Sequence, residues 1–220
     1  MRKKVFLLIL ILAAAGVGMF YYWARLQVLH DTQYDSFVQE AAQRYHMSES
    51  LIRAVIWRES DFDPQSTGLA GERGLMQVTA PAGREWAASE NIQTFRDTDL
   101  FDPRTNIMAG SWYLGRAIRR WQQADRPEIF GLAEYNAGRT HARRWARDMT
   151  APTSAVFIEN IDYPTTKNYV LDILERSHYY ETHPRPNVWE KGWNKVCGLW
   201  WRWQEARVVK RLRDLREATP

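Results

Sequence analysis

A mainly α-helical domain held between two compositionally distinct ends is the architecture this 220-residue sequence predicts. Three observations carry that reading. From Tyr34 onward apolar residues recur at three- and four-residue spacing. Helix-start signals (Thr79 before Pro81, Asp102-Pro103, Asp125-Arg126-Pro127) punctuate the pattern at intervals. Alternating strand patterns are nearly absent, and there is no internal repeat or low-complexity segment. The boundaries fall at 1–25 for a basic tip and apolar segment, 31–183 for the helical domain, and 184–220 for a Trp-rich basic tail.

Arg2, Lys3 and Lys4 precede an uncharged run from Val5 to Ala24, about the length needed to cross a bilayer. Phe20, Tyr21, Tyr22 and Trp23 close it with the aromatics expected at a membrane interface. A cleavable signal peptide would use Ala13 and Ala15, but the apolar run continues well past them, which favours a retained transmembrane anchor. The basic tip then stays in the cytoplasm, and residues from Arg25 onward cross the membrane.

Within the domain, Phe37, Ala41, Ala42 and Tyr45 mark a first helix. Ser48 caps a second, whose stripe is Leu51, Ile52, Val55 and Ile56. Thr79 and Pro81 open another through Trp86 toward Ala88. Asp102-Pro103 starts a long helix with Ile107, Met108, Trp112, Leu114, Ile118 and Trp121 on its apolar face. Ile129 to Tyr135 form the next, which Asn136-Ala137-Gly138 ends. A short helix from His141 to Met149 and a loop through Pro152 follow, and Pro164 starts a last helix through Tyr169, Val170, Ile173 and Leu174.

The two ends carry the positive charge. Residues 5–184 hold 18 Lys and Arg against 22 Asp and Glu, so the pI near 9.2 gives no reason to expect nucleic-acid binding by the core. The tail holds five of the eleven tryptophans between Trp189 and Trp203 and an apolar stripe of Trp201, Val208, Leu212 and Leu215 among basic residues. Such a segment suits contact with an anionic membrane surface, and equally suits docking on the domain as a terminal helix. One cysteine, Cys197, excludes an intramolecular disulfide, and the five histidines show no paired ligand spacing, so no metal and no cofactor is expected. Neither a Gly-rich phosphate loop nor a nucleophile elbow is present.

The informative residue is Glu59. It continues the apolar stripe of the second helix one turn on, just before Asp61-Phe62-Asp63-Pro64 ends that helix. A carboxyl placed there is desolvated and lies near the negative end of the helix dipole; both raise its pKa and keep it protonated to act as a general acid. From position alone, a glutamate turned out to solvent fits as well. Two further segments weigh on the choice: Gly74-Leu75-Met76-Gln77, with Gln77 eighteen residues after Glu59, and Glu134-Tyr135-Asn136-Ala137-Gly138.

In this order and in a helical domain, these segments resemble the soluble-type (SLT, family 1) lytic transglycosylases, which have a lysozyme-like fold, from roughly Tyr34 to Tyr180. Together with the N-terminal anchor, which sends the domain across the inner membrane, this reads as a membrane-anchored, periplasm-facing enzyme. By the resemblance it would cleave the bond between N-acetylmuramic acid and N-acetylglucosamine in peptidoglycan glycan strands and leave a 1,6-anhydro product. The resemblance implies Glu59 as acid and then base, Ser60 as its structural neighbour, and Gly74 and Gly138 as motif glycines. Met76, Gln77, Tyr135, Asn136, Glu159 and Tyr169 fall on substrate-binding positions. Retaining and inverting glycosidases need a second carboxylate. Here the substrate's acetamido group and 6-hydroxyl replace nucleophile and water, so one carboxyl serves every proton transfer. Gln77 and Asn136 suit acetamido and hydroxyl groups, and Tyr135 suits stacking on a sugar face.

The sequence departs from the family pattern at Gly68, where a serine is usual, and at Glu134, which replaces an alanine and adds a charge near the cleft wall. Thr165 and Lys167 replace a Glu and an Arg, which removes an expected ion pair. Two rivals remain open: a hydrolytic muramidase of the same fold, with Asp61, Asp63, Glu72 or Glu134 directing water, and a non-catalytic wall-binding scaffold.

Overall fold

A computed structural model describes residues 2–147 and 153–183; the Trp-rich tail, the loop at Pro152 and the expected helix end at Met149 lie outside the described residues. The chain divides into two units, Met1–Gln33 with His183–Pro220, and Tyr34–Thr182.

The described part of the first unit is chiefly one helix, α1 (Arg2–Thr32). Its 31 residues span about 46 Å at 1.5 Å per residue, more than the roughly 30 Å of a hydrocarbon core. Phe6, Ile9, Leu10, Ile11, Leu12, Val17 and Met19 are exposed along it, as lipid-facing side chains are. Among the described residues it is the one helix long and apolar enough to cross a membrane.

The second unit packs eight helices: α2 (Asp35–Tyr45), α3 (Glu49–Ser60), α4 (Ala80–Ser89), α5 (Pro103–Arg119), α6 (Pro127–Ala137), α7 (Arg139–Trp145), α8 (Ser154–Asn160) and α9 (Pro164–Thr182). The expected start signals act as caps. Ser48 Oγ accepts from the Leu51 N–H, Thr79 Oγ1 from Ala82, and Asp102 Oδ1 from Thr105, with Pro103 in the first turn of α5. At α6 the capping residue is Arg126; Asp125 instead accepts from Arg126 N–H and from the N–H and hydroxyl of Ser154, tying the start of α6 to α8.

Helix α6 is the hub. Ile129, Phe130, Leu132 and Ala133 are fully buried, and α5, α7, α8 and α9 all pack on it. Helix α3 packs on α9, and its Ile52, Val55 and Ile56 are fully buried.

Four features differ from the sequence expectation. Helix α5 stops at Arg119, so Trp121 sits in the turn beyond it, stacked on Phe130 with centroids 5.3 Å apart. A 3₁₀ turn, Asp97–Phe101, and the seven-residue α8 carry too few apolar repeats to show periodicity. Helix α9 runs on past Leu174 to Thr182, because its last turns are held by polar contacts: Ser177 and Glu181 meet Ser50 of α3, each at 3.1 Å.

Candidate active site

Helix α3 ends in two successive left-handed residues, Asp61 (φ 48°) and Phe62 (φ 65°). The Asp61 N–H closes the helix on the Trp57 carbonyl, and the Phe62 ring is buried. Backbone of this kind is costly for side-chain-bearing residues and persists only where packing fixes it. It turns the chain sharply at Glu59 into the loop 61–79.

That loop is a backbone cradle. Arg73 and Val78 exchange N–H···O bonds at 3.0 Å, and the Gly74 N–H donates to Ser66 O at 2.8 Å. At its centre is Asn106 of α5, fully buried. Its Oδ1 accepts from the Met76 N–H (2.8 Å), and its Nδ2 donates to the Arg73 (2.7 Å) and Leu100 (2.6 Å) carbonyls. Gly74 has φ +69°, and a Cβ there would stand 2.5 Å from both Asn106 Nδ2 and Leu100 O. Conformation and space both require glycine. Ser60 Oγ donates to Leu75 O at 2.8 Å, joining the end of α3 to the same turn. Ser60 thus braces the end of α3 against the loop.

Glu59 is partly buried. Tyr169 of α9, itself 2% exposed, donates its hydroxyl to Glu59 Oε1 at 2.6 Å. Burial pushes the Glu59 pKa up to about 7; the Tyr169 hydrogen bond and the Arg58 charge pull against it, and the Glu72 charge adds to it. Arg58 is moderated by its own pair, Asp172 at 3.0 Å. Burial and the neighbouring carboxylate hold the Tyr169 hydroxyl well above the usual tyrosine range, so it stays a donor.

The other expected site residues fall into distinct roles. The Met76 side chain is fully buried, with its sulfur accepting from Ser111 Oγ at 3.7 Å; it packs against Gly110, where a Cβ would come within 2.6 Å. Its expected contact with substrate is corrected: it is a core residue. Gln77, at φ +48°, uses its amide N–H groups on Gly74 O (2.9 Å) and Ser66 O (3.2 Å), leaving its Oε1 toward Gly68. The Tyr135 hydroxyl donates to Met76 O at 2.8 Å, so it clamps α6 to the cradle, and the ring meets Tyr113 edge-on at 5.8 Å. Asn136 is exposed, and Thr166 Oγ1 donates to its Oδ1 at 2.8 Å. Gly138 ends α6 at φ 84°, ψ 157°, a combination open to glycine. Glu159 is exposed near the end of α8, where its backbone carbonyl accepts from Lys167 Nζ at 3.2 Å.

Glu134 is also a correction. It is 3% exposed, bonded to Arg120 and, at 2.8 Å, to Trp121 Nε1, so its charge is neutralised inside the fold rather than displayed on a cleft wall. The ion pair absent at Thr165 and Lys167 has a counterpart nearby: Asp162 accepts from Arg144 and from Trp145 Nε1, both at 2.6 Å, joining α7 to the start of α9. Those two partners hold the Asp162 carboxyl below its ordinary range. Sequence reasoning missed Asn106, Thr166 and Tyr113. Asn106 gave the same signal as Glu59, a polar side chain on a buried helical stripe.

Such an arrangement belongs to one class of protein: residues 36–157 match the Transglycosylase SLT domain, and the chain belongs to that family. Among known relatives, the soluble lytic murein transglycosylase of Salmonella typhimurium is 29% identical over 160 residues, covering 72% of this chain and 24% of the relative. The membrane-bound lytic murein transglycosylase F of Desulfosudis oleivorans is 36% identical over 109 residues, covering 48% of this chain and 22% of the relative. The 70 kDa soluble lytic transglycosylase of Escherichia coli superposes with a TM-score of 0.61 at 26% identity, over 70% of this chain and 25% of that one. An inactive mutant of the Pseudomonas aeruginosa lytic transglycosylase Slt shares the fold at a TM-score of 0.63 and 24% identity, over 71% of this chain and 25% of that one. The chain thus spans about a quarter of the length of these relatives.

Proposed function

We propose that this protein is a membrane-anchored lytic transglycosylase that cleaves peptidoglycan glycan strands without water, leaving 1,6-anhydro-N-acetylmuramic acid ends. The observation that carries this is Glu59: one carboxyl with its pKa pushed up to about 7 by burial, accepting the Tyr169 hydroxyl at the head of an Asn106-ordered cradle. A group poised at neutrality serves both halves of the reaction. Protonated, Glu59 gives its proton to the glycosidic oxygen as the C–O bond breaks. The acetamido oxygen of the substrate stabilises the anomeric carbon. Glu59, now ionised, takes the proton of the 6-hydroxyl, whose oxygen bonds to the anomeric carbon and closes the anhydro ring. Protons balance, and water is not consumed. Tyr169 holds the carboxyl in place through both states, and Asn136 offers its amide N–H₂ to the glycan.

The name of the membrane-bound relatives and the apolar length of α1 support an anchor. With Arg2, Lys3 and Lys4 on the cytoplasmic side, a single pass places the domain in the periplasm.

Mass spectrometry of peptidoglycan digests tests the reaction. The parent is expected to release anhydro products, and Glu59→Gln to lose at least a thousandfold in rate, the order expected on removing a general acid that is also the base. Fully hydrated products would replace this reading with a muramidase, and equal release by both proteins would remove Glu59 from the chemistry.

A further inference from the structure

We propose that Glu72 is a specificity-determining residue of the cleft, whose carboxylate over Gly68 binds the amino position of a glycan unit and favours a free ammonium there over an acetamide. The inference rests on reading the cleft as a glycan site.

The geometry begins at Gly68. A Cβ at that position would stand 2.3 Å from Glu72 Oε2 and 2.8 Å from Gln77 Oε1. The Glu72 carboxylate therefore lies directly over bare backbone, in the space a side chain at 68 would fill. It is held there: the Ala70 N–H donates to Oε2 at 3.0 Å, inside a tight loop in which the Gly68 N–H donates to Glu72 O at 2.9 Å. Its charge adds to the upward push on the Glu59 pKa.

The nearby cations are committed elsewhere. Arg73 donates to Asp97 O at 2.7 Å and lies over the Phe101 ring, and Arg58 pairs with Asp172. Among the described residues no Lys or Arg forms an ion pair with Glu72. Gln77 adds a second acceptor, because its two amide hydrogens are taken by Ser66 O and Gly74 O while Oε1 faces Gly68.

Over Gly68 the wall thus presents two acceptors, the Glu72 carboxylate and Gln77 Oε1. An acetamide brings one N–H and no charge to set against the Glu72 carboxylate. An ammonium brings three N–H groups and no acceptor, and its charge opposes that of Glu72. The complement is a glycan unit, other than the one whose acetamido group takes part in the reaction, with a free amino group.

Calorimetric binding of two uncleaved probes to the full-length protein in detergent tests this: a β-1,4-linked glucosamine hexamer and its N-acetylated counterpart. The parent is expected to prefer the glucosamine hexamer. Glu72→Gln, which keeps shape and removes charge, is expected to reduce that preference about tenfold, the scale of one charge-assisted contact. Gly68→Ala is expected to do the same by displacing the carboxylate, and it keeps the measurement decisive if Glu72→Gln fails to fold. An unchanged preference in a folded variant overturns the proposal. Binding is read apart from cleavage, so a protein with this preference and no lytic activity would overturn the lytic reading alone.

Discussion

Glu59 carries a stability cost that follows from its pKa. Its carboxyl titrates near 7 in the folded protein against about 4.5 when unfolded, so the folded state holds the proton more tightly. Below pH 4.5 both states are protonated and no penalty exists. Between 4.5 and 7 the unfolded chain ionises first, and stability falls with rising pH; above 7 the penalty is complete. At 1.36 kcal/mol per pKa unit, discounted for partial exposure, it amounts to about 2–3 kcal/mol. Glu59→Gln keeps the acceptor for Tyr169 and removes the charge, so it is expected to raise the melting temperature at pH 8 and leave it nearly unchanged at pH 4. Equal shifts at both pH values would place the carboxyl in water. The sequence pointed to this residue because a carboxylate on an apolar stripe is a costly choice. It did not show the hydrogen bond from Tyr169, 110 residues away, which only tertiary packing brings within 2.6 Å.

At the scale of elements, the loop 61–79 is ordered by what it meets rather than by its own propensities. Asn106 satisfies one N–H and two carbonyls, two of them in the loop and one in the turn at Leu100, and Gly74 admits it. Gly74→Ala adds a Cβ within 2.5 Å of a fixed amide and a backbone carbonyl, and is expected to cost about 3 kcal/mol or more. Gly138→Ala meets nothing within 4 Å and bears the backbone term alone, about 1–2 kcal/mol. Urea denaturation of both variants checks this, and equal losses would show that space at residue 74 is not limiting. Helix starts were legible, because Ser48, Thr79 and Asp102 act locally on their own backbones. Short elements such as α8 were not, since seven residues give too little periodicity and their stability comes from packing under α6.

At the scale of the whole molecule, α1 gives the domain its proposed address. Removing residues 1–25 is expected to move the protein from the membrane to the soluble fraction with its lytic rate on soluble glycan fragments intact. Membrane retention of the truncated protein would assign anchoring to another segment. The sequence by itself determined a helical domain, an apolar N-terminal span, and a glutamate with the Gly-Leu-Met-Gln and Tyr-Asn segments, because periodicity, capping and composition act within a few residues. Tertiary structure decided which of those residues face the cleft. It buried Met76 and Glu134, turned the Tyr135 hydroxyl and the Gln77 amide into struts, and set Glu72 over Gly68. The physical reason is that hydrogen-bond partners and desolvation are set by neighbours distant in the chain, and a side chain's role depends on which of them it meets.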